Sequence, residues 1–138
     1  MTRYILLLAL LFTTWALPGQ TYKVIVNNAN PTTTVTTSDL SKHFLKKVKK
    51  WKNGDKVVPV DLSANSAVRK DFSKAIHNKS VSAIKSYWQQ YVFAGSGTPP
   101  IEKKSDLEVI EYVKKNSGAI GYVSKSTNTT GVKEITVN

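Results

Sequence analysis

At 138 residues the chain has the length of one domain, and a domain of that size buries a core without needing a covalent staple. It has no cysteine, which excludes a disulfide scaffold, a thiolate metal site and a thiol nucleophile. Twenty basic against nine acidic residues give a formal charge of +11. Such a balance attracts phosphate, nucleic acid and acidic head groups alike and does not choose among them.

Residues 1–19 read as a secretory signal peptide. Arg3 supplies the positive n-region, Ile5 to Leu17 is apolar apart from Thr13 and Thr14, and Pro18-Gly19 breaks the run. The run falls short of the about 20 residues that cross a bilayer, so a cleaved leader is preferred to a retained anchor. Cleavage after Gly19 leaves a mature domain, 20–138, with no transmembrane span. The loss of Arg3 lowers its charge by one, to +10. With no cysteine after the apolar run, a lipid anchor on an N-terminal cysteine is excluded.

The mature chain opens on a β-branched run, Tyr22 to Val26, which predicts a strand bounded by Asn27–Pro31. The threonine-rich stretch 32–37 reads as a loop leading to Ser38 as N-cap. From there Leu40, Phe44, Leu45, Val48 and Trp51 recur at helical spacing, with Lys42, Lys46, Lys49 and Lys50 between them. The spacing predicts an amphipathic helix with a lysine-rich outer face, closed by Asn53-Gly54.

Val57 to Leu62 predicts a second strand, in which Pro59 argues for an edge or terminal place because it has no amide hydrogen to donate. The loop 63–66 then feeds a helix with the stripe Val68, Phe72, Ala75 and Ile76. A further helix starts near Ser80, carries Val81, Ile84, Trp88, Tyr91 and Val92, and is stopped by the loop Gly95–Pro100. Ser105 and Glu108 have the spacing of a capping box. They open a helix bearing Leu107, Ile110 and Val113, with Lys114 and Lys115 suiting its C-terminal dipole. Ala119–Val123 and Lys133–Val137 read as strands. Strands separated by helices imply an α/β layered domain, a sheet with helices packed on it.

Several of these segments, taken in order, resemble the phosphate-binding components of ABC transporters. Phe44–Val48, Trp51–Gly54 and Val57–Val60 resemble their "iF.gk...W.dG..i.pv" stretch, and Arg69 to Phe72 their "R..F" helix start. Tyr87-Trp88 with Phe93–Gly95 resembles "yW....f.G", and Gly118–Val123 is close to "GAIGYV". The resemblance covers roughly residues 24–123. It implies about one lobe of a type II periplasmic binding protein, a periplasmic or secreted location, and phosphate or another small oxyanion as ligand. An ABC permease or other envelope protein is the partner it implies.

In that family an arginine-containing "R.DGSGT" loop between a strand and a helix holds the anion. The corresponding place here is Asp61–Ser66, which keeps hydroxyl and amide groups at Ser63, Asn65 and Ser66. The loop's arginine and both glycines are absent, and Asp61 adds a negative charge; Arg69, one helical turn on from Ser66, is the substitute cation. Helix capping alone is the competing reading of Ser63–Ser66.

The lysines from Lys42 to Lys56, among them Lys42, Lys46, Lys49 and Lys50, are either a solvated face or a docking surface for an envelope partner, a polymer or a membrane surface. Nucleic acid is disfavoured because Trp51, the one aromatic available to stack a base there, falls on the same stripe as Phe44. His43 is expected at the surface of the lysine-rich helix. No nucleophile elbow, phosphate-binding glycine loop or metal-ligand spacing occurs, so neither an enzyme nor a metal or other cofactor is expected.

Overall fold

The computed structural model describes residues 20–138; the expected signal peptide, residues 1–19, lies outside the described residues. Six strands form one mixed sheet of order β2-β6-β1-β5-β3-β4. In chain order these are β1 (Tyr22–Val26), β2 (Thr34–Val35), β3 (Val58–Leu62), β4 (Ile101–Lys103), β5 (Ala119–Ser124) and β6 (Lys133–Val137). Four helices accompany them: α1 (Thr37–Phe44), α2 (Ala67–Phe72), α3 (Val81–Phe93) and α4 (Asp106–Lys115). A π-helical turn, Ser73–His77, continues α2. This is the expected α/β layering.

The sheet is covered on both faces, and β5 shows how. Side chains alternate along a strand, so Gly121 and Tyr122 address opposite layers. On one side α4 lies close enough that a Cβ on Gly121 would come within 2.7 Å of Val109 Cγ1. On the other, the Tyr122 ring stacks on Phe72 at 3.8 Å, and Phe44 meets both rings. Covered on both sides, β5 is buried from Ala119 to Val123, as its unbroken apolar run requires.

Several expectations are corrected. The first helix is capped by Thr36, not Ser38, and stops at Phe44 rather than reaching Trp51. Lysines four apart repel along a helix face, and Lys46 takes a left-handed φ of 56° that ends the helix. Lys46, Lys49 and Lys50 therefore lie off the helix, on an excursion that returns through a bridge between Lys50 and Lys56. Trp51 is still buried, but because its indole N–H donates to the Gly118 carbonyl at 2.9 Å, not through helical phase. Val48 is exposed. His43 is buried against Trp51 with ring centroids 4.8 Å apart, which corrects its expected surface place.

Pro59 lies in an interior strand, between β5 and β4, and not at an edge. It is tolerated because β4 joins only from Val60 onward, leaving Pro59 paired on the β5 side alone. The π turn adds a residue to the helical repeat after Phe72, so Ser73 and Ile76 face the core and Ala75 turns outward. Val92 and Leu107 are exposed, α4 burying Val109, Ile110 and Val113 instead. Strands β2 and β4 were not foreseen: one hides in the threonine run, the other follows two prolines.

Candidate binding cleft

Strand β3 delivers Asp61 and Leu62 to the C-terminal end of the sheet, where crevices of open α/β folds form. The chain then turns sharply. Ser63 donates both its backbone N–H (3.0 Å) and its Oγ (3.4 Å) to the Lys103 carbonyl of β4. Ser66 Oγ accepts the Arg69 N–H at 3.3 Å and so caps α2. Asn65 projects into solvent at the tip. The structure thus brings Ser63, Ser66 and Arg69 to one strand-to-helix junction and leaves Asn65 at its rim.

The Arg69 side chain folds back beneath this turn and is buried. Its Nη1 donates to the Leu62 carbonyl at 2.9 Å and to Glu102 Oε1 at 2.6 Å, while Nη2 stands 4.0 Å from Asp61 Oδ2, beyond hydrogen-bonding distance. The other Asp61 oxygen accepts the Tyr122 hydroxyl at 2.8 Å, and that hydroxyl in turn accepts the Leu62 N–H at 3.2 Å. Tyr122 and Glu102 are the members that sequence reasoning missed. The available signal was Asp61 itself, a carboxylate inside an apolar strand that had to find partners.

Burial pushes the Asp61 carboxyl up to about 6, against the pull of the Arg69 charge and the Tyr122 hydrogen bond, with Glu102 adding repulsion. Burial works against the Arg69 cation, but Asp61 and Glu102 outweigh it and hold its pKa above the ordinary guanidinium value. Burial and the neighbouring Asp61 carboxylate raise the Tyr122 phenol as well. Nearby, His77 Nδ1 lies 2.7 Å from Ser41 Oγ; burial, then the charges of Arg69, Lys47 and Lys79, hold this imidazole down to about 4.

Above the network opens a cleft of about 470 Å³. Asp61 and Arg69 form its polar floor with Glu102 at the rim, and Trp88, Val92, Phe93 and the two prolines Pro99 and Pro100 form its apolar wall. Trp88, Val92 and Phe93 of the wall belong to α3, which is fastened by Ile84 and Trp88 packing on Leu45 and by the Tyr87 hydroxyl, which donates to the Leu45 carbonyl at 2.9 Å. Among the described residues no cluster of His, Asp and Glu is arranged to hold a metal ion.

The lysines lie elsewhere. Lys56 precedes β3 and Asp61 nearly ends it, a separation of roughly 16 Å along the strand. Lys50 bridges to Lys56 at the N-terminal end of β3, and Lys42, Lys46, Lys49 and Lys50 are not among the residues that line the cleft. Among the described residues none of them has an ion-pair partner, and the like charges of Lys56 and Lys49, after burial, lower the Lys46 pKa.

No protein-family model matches the chain, and no curated protein matches its sequence. Solved structures do match its fold. An ABC-type phosphate transport receptor from Vibrio cholerae is similar with a TM-score of 0.68 at 21% identity, covering 85% of this chain and 46% of that one. A putative phosphate ABC transporter substrate-binding protein with bound phosphate from Clostridium perfringens gives 0.69 at 20% identity, covering 85% and 44%. PstS from Borrelia burgdorferi gives 0.67 at 19%, covering 86% and 47%. The chain spans less than half the length of these proteins, and among the described residues no helix is long and apolar enough to cross a membrane. What the likeness establishes is the fold: this chain is built as one α/β portion of phosphate-receptor-like architecture.

Proposed function

We propose that the protein is an exported, non-enzymatic binding protein whose ligand is phosphate or another small oxyanion. The observation that carries this reading is a buried guanidinium at the floor of an open cleft, at the C-terminal end of β3. Arg69 is the anchoring cation; Ser63, Asn65 and Ser66 belong to the turn beside it, outside the lining of the cleft, and the two serines would have to leave their present partners to reach the anion. Glu102 is half-exposed and holds Nη1 from the rim, so an entering oxyanion takes over the position of its carboxylate. Planar, charge-assisted contacts of this kind are what an arginine offers an oxyanion. The fold's likeness to phosphate receptors, one of them with bound phosphate, supports the ligand class, and the apolar leader supports export. An ABC permease or another envelope protein is the partner.

Calorimetric titration of the protein with phosphate at low salt tests this. Saturable heat that Arg69→Gln abolishes is expected. No heat and no thermal shift at millimolar phosphate would remove the solute-binding role.

The unpaired lysines favour a second reading, in which the excursion from Lys46 to Lys56 docks on an anionic envelope partner, polymer or membrane surface. Its affinity would fall as salt rises, and reversing Lys42, Lys46 and Lys49 to glutamate would abolish docking while leaving phosphate heat intact. Docking that survives the triple reversal rejects this second role.

A further inference from the structure

Among the described residues, most large apolar side chains that stand open to solvent gather around one strand. Phe93 is 93% exposed, Leu107 67%, Val92 49% and Ile101 41%. Val92 and Phe93 flank β4 on the α3 side, Leu107 flanks it on the α4 side, and Ile101 belongs to it. Strand β4 is itself an edge: β3 pairs with it on one side and its other side carries unpaired backbone groups. An open edge with apolar side chains on both flanks is a template for pairing with another strand.

The charge around β4 decides what pairs with it. The clefts on its two flanks are lined by four carboxylates, Asp61, Glu102, Glu108 and Glu111, against four cations, Arg69, Lys85, Lys103 and Lys104. In a chain with 20 basic and 9 acidic residues, this face is neutral, whereas the lysine excursion is not. An acidic partner would be drawn to that excursion. A second copy of a strongly basic chain is repelled least at a balanced face, and a two-fold contact sets one patch against itself, which a neutral apolar patch permits.

We infer that the protein self-associates through β4. Two copies pair their β4 strands antiparallel across a two-fold axis, extending the sheet through both, with Phe93 of each copy over the cleft of its mate and Leu107 closing the opposite flank. The contact goes beyond the proposed ligand reading and does not rest on it, although a mate's Phe93 over the cleft competes with ligand entry; mass measured without phosphate reports the pairing alone.

Sedimentation equilibrium of the purified protein tests the pairing. The weight-average mass is expected to rise from the monomer's value towards twice that value with concentration. Salt is expected to strengthen the association, because it screens the repulsion between two basic bodies. Phe93→Asp and, independently, Leu107→Asp should each weaken it at least about tenfold. Both side chains are exposed, so an unchanged far-UV spectrum separates lost association from lost folding. A monomer at every concentration and salt, or a Phe93→Asp variant that associates like the parent, overturns the inference.

Discussion

Asp61 and His77 show how one buried charge sets the terms for another. The folded Asp61 carboxyl, at about 6, holds its proton more tightly than an unfolded one near 3.8. Its contribution to stability is complete below that lower value and is lost as pH rises through 6. His77 has the opposite sign. Its folded pKa of about 4 lies below the ordinary 6.5, so its contribution is present above pH 6.5 and lost as pH falls through 4. Each shift of about two units is worth about 3 kcal/mol, and over pH 4 to 6.5 the two oppose each other. Urea midpoints of the parent should therefore change little across that window. Asp61→Asn should unmask stability that rises with pH, and His77→Gln stability that falls. The same slope in both variants would reject this assignment.

At the scale of elements, two glycines without left-handed backbones matter because of what approaches them. Gly121 admits α4 to the sheet, and a Cβ on Gly118 would run into the Lys56 carbonyl at the base of the lysine excursion. Gly121→Ala meets the tip of a valine that can shift, at a cost of about 1–2 kcal/mol; Gly118→Ala meets backbone and should cost about 3 kcal/mol. Chemical denaturation of the two variants checks the order, and equal or reversed losses would refute it.

The elements also show where periodicity informs and where it misleads. It identified β1, β3, α4 and β5, whose apolar patterns agree with local preference. It ran α1 on to Trp51 because Phe44, Val48 and Trp51 keep helical spacing, yet the burial of Trp51 is settled by the Gly118 carbonyl just before β5, 67 residues away. No local count can register such a partner. The π turn after Phe72 likewise changes the phase of a stripe that reads as regular.

Over the whole molecule the two ends of β3 carry different chemistry. The lysine excursion joins the strand at the N-terminal end through the Lys50–Lys56 bridge, while a charge-balanced apolar cleft occupies the other end. Salt should therefore weaken docking of an anionic polymer at the first and strengthen self-association at the second. Finding the same sign at both would mean that a single surface serves both events.

Of the candidate site, Arg69 and the serines were legible because a polar loop between a strand and a helix is a local pattern. Glu102 and Tyr122 were not, since they reach Asp61 and Arg69 from strands far along the chain. The sequence by itself determined the layering, the net charge and the residues at the β3–α2 junction, through alternation, composition and capping preference. Only the tertiary structure decided that Arg69 shares its charge with Asp61 and Glu102, that the lysines leave the helix, and that β4 ends the sheet. Those outcomes depend on which distant groups satisfy a buried charge, an indole N–H or a strand edge, and such pairings exist only once the chain has folded.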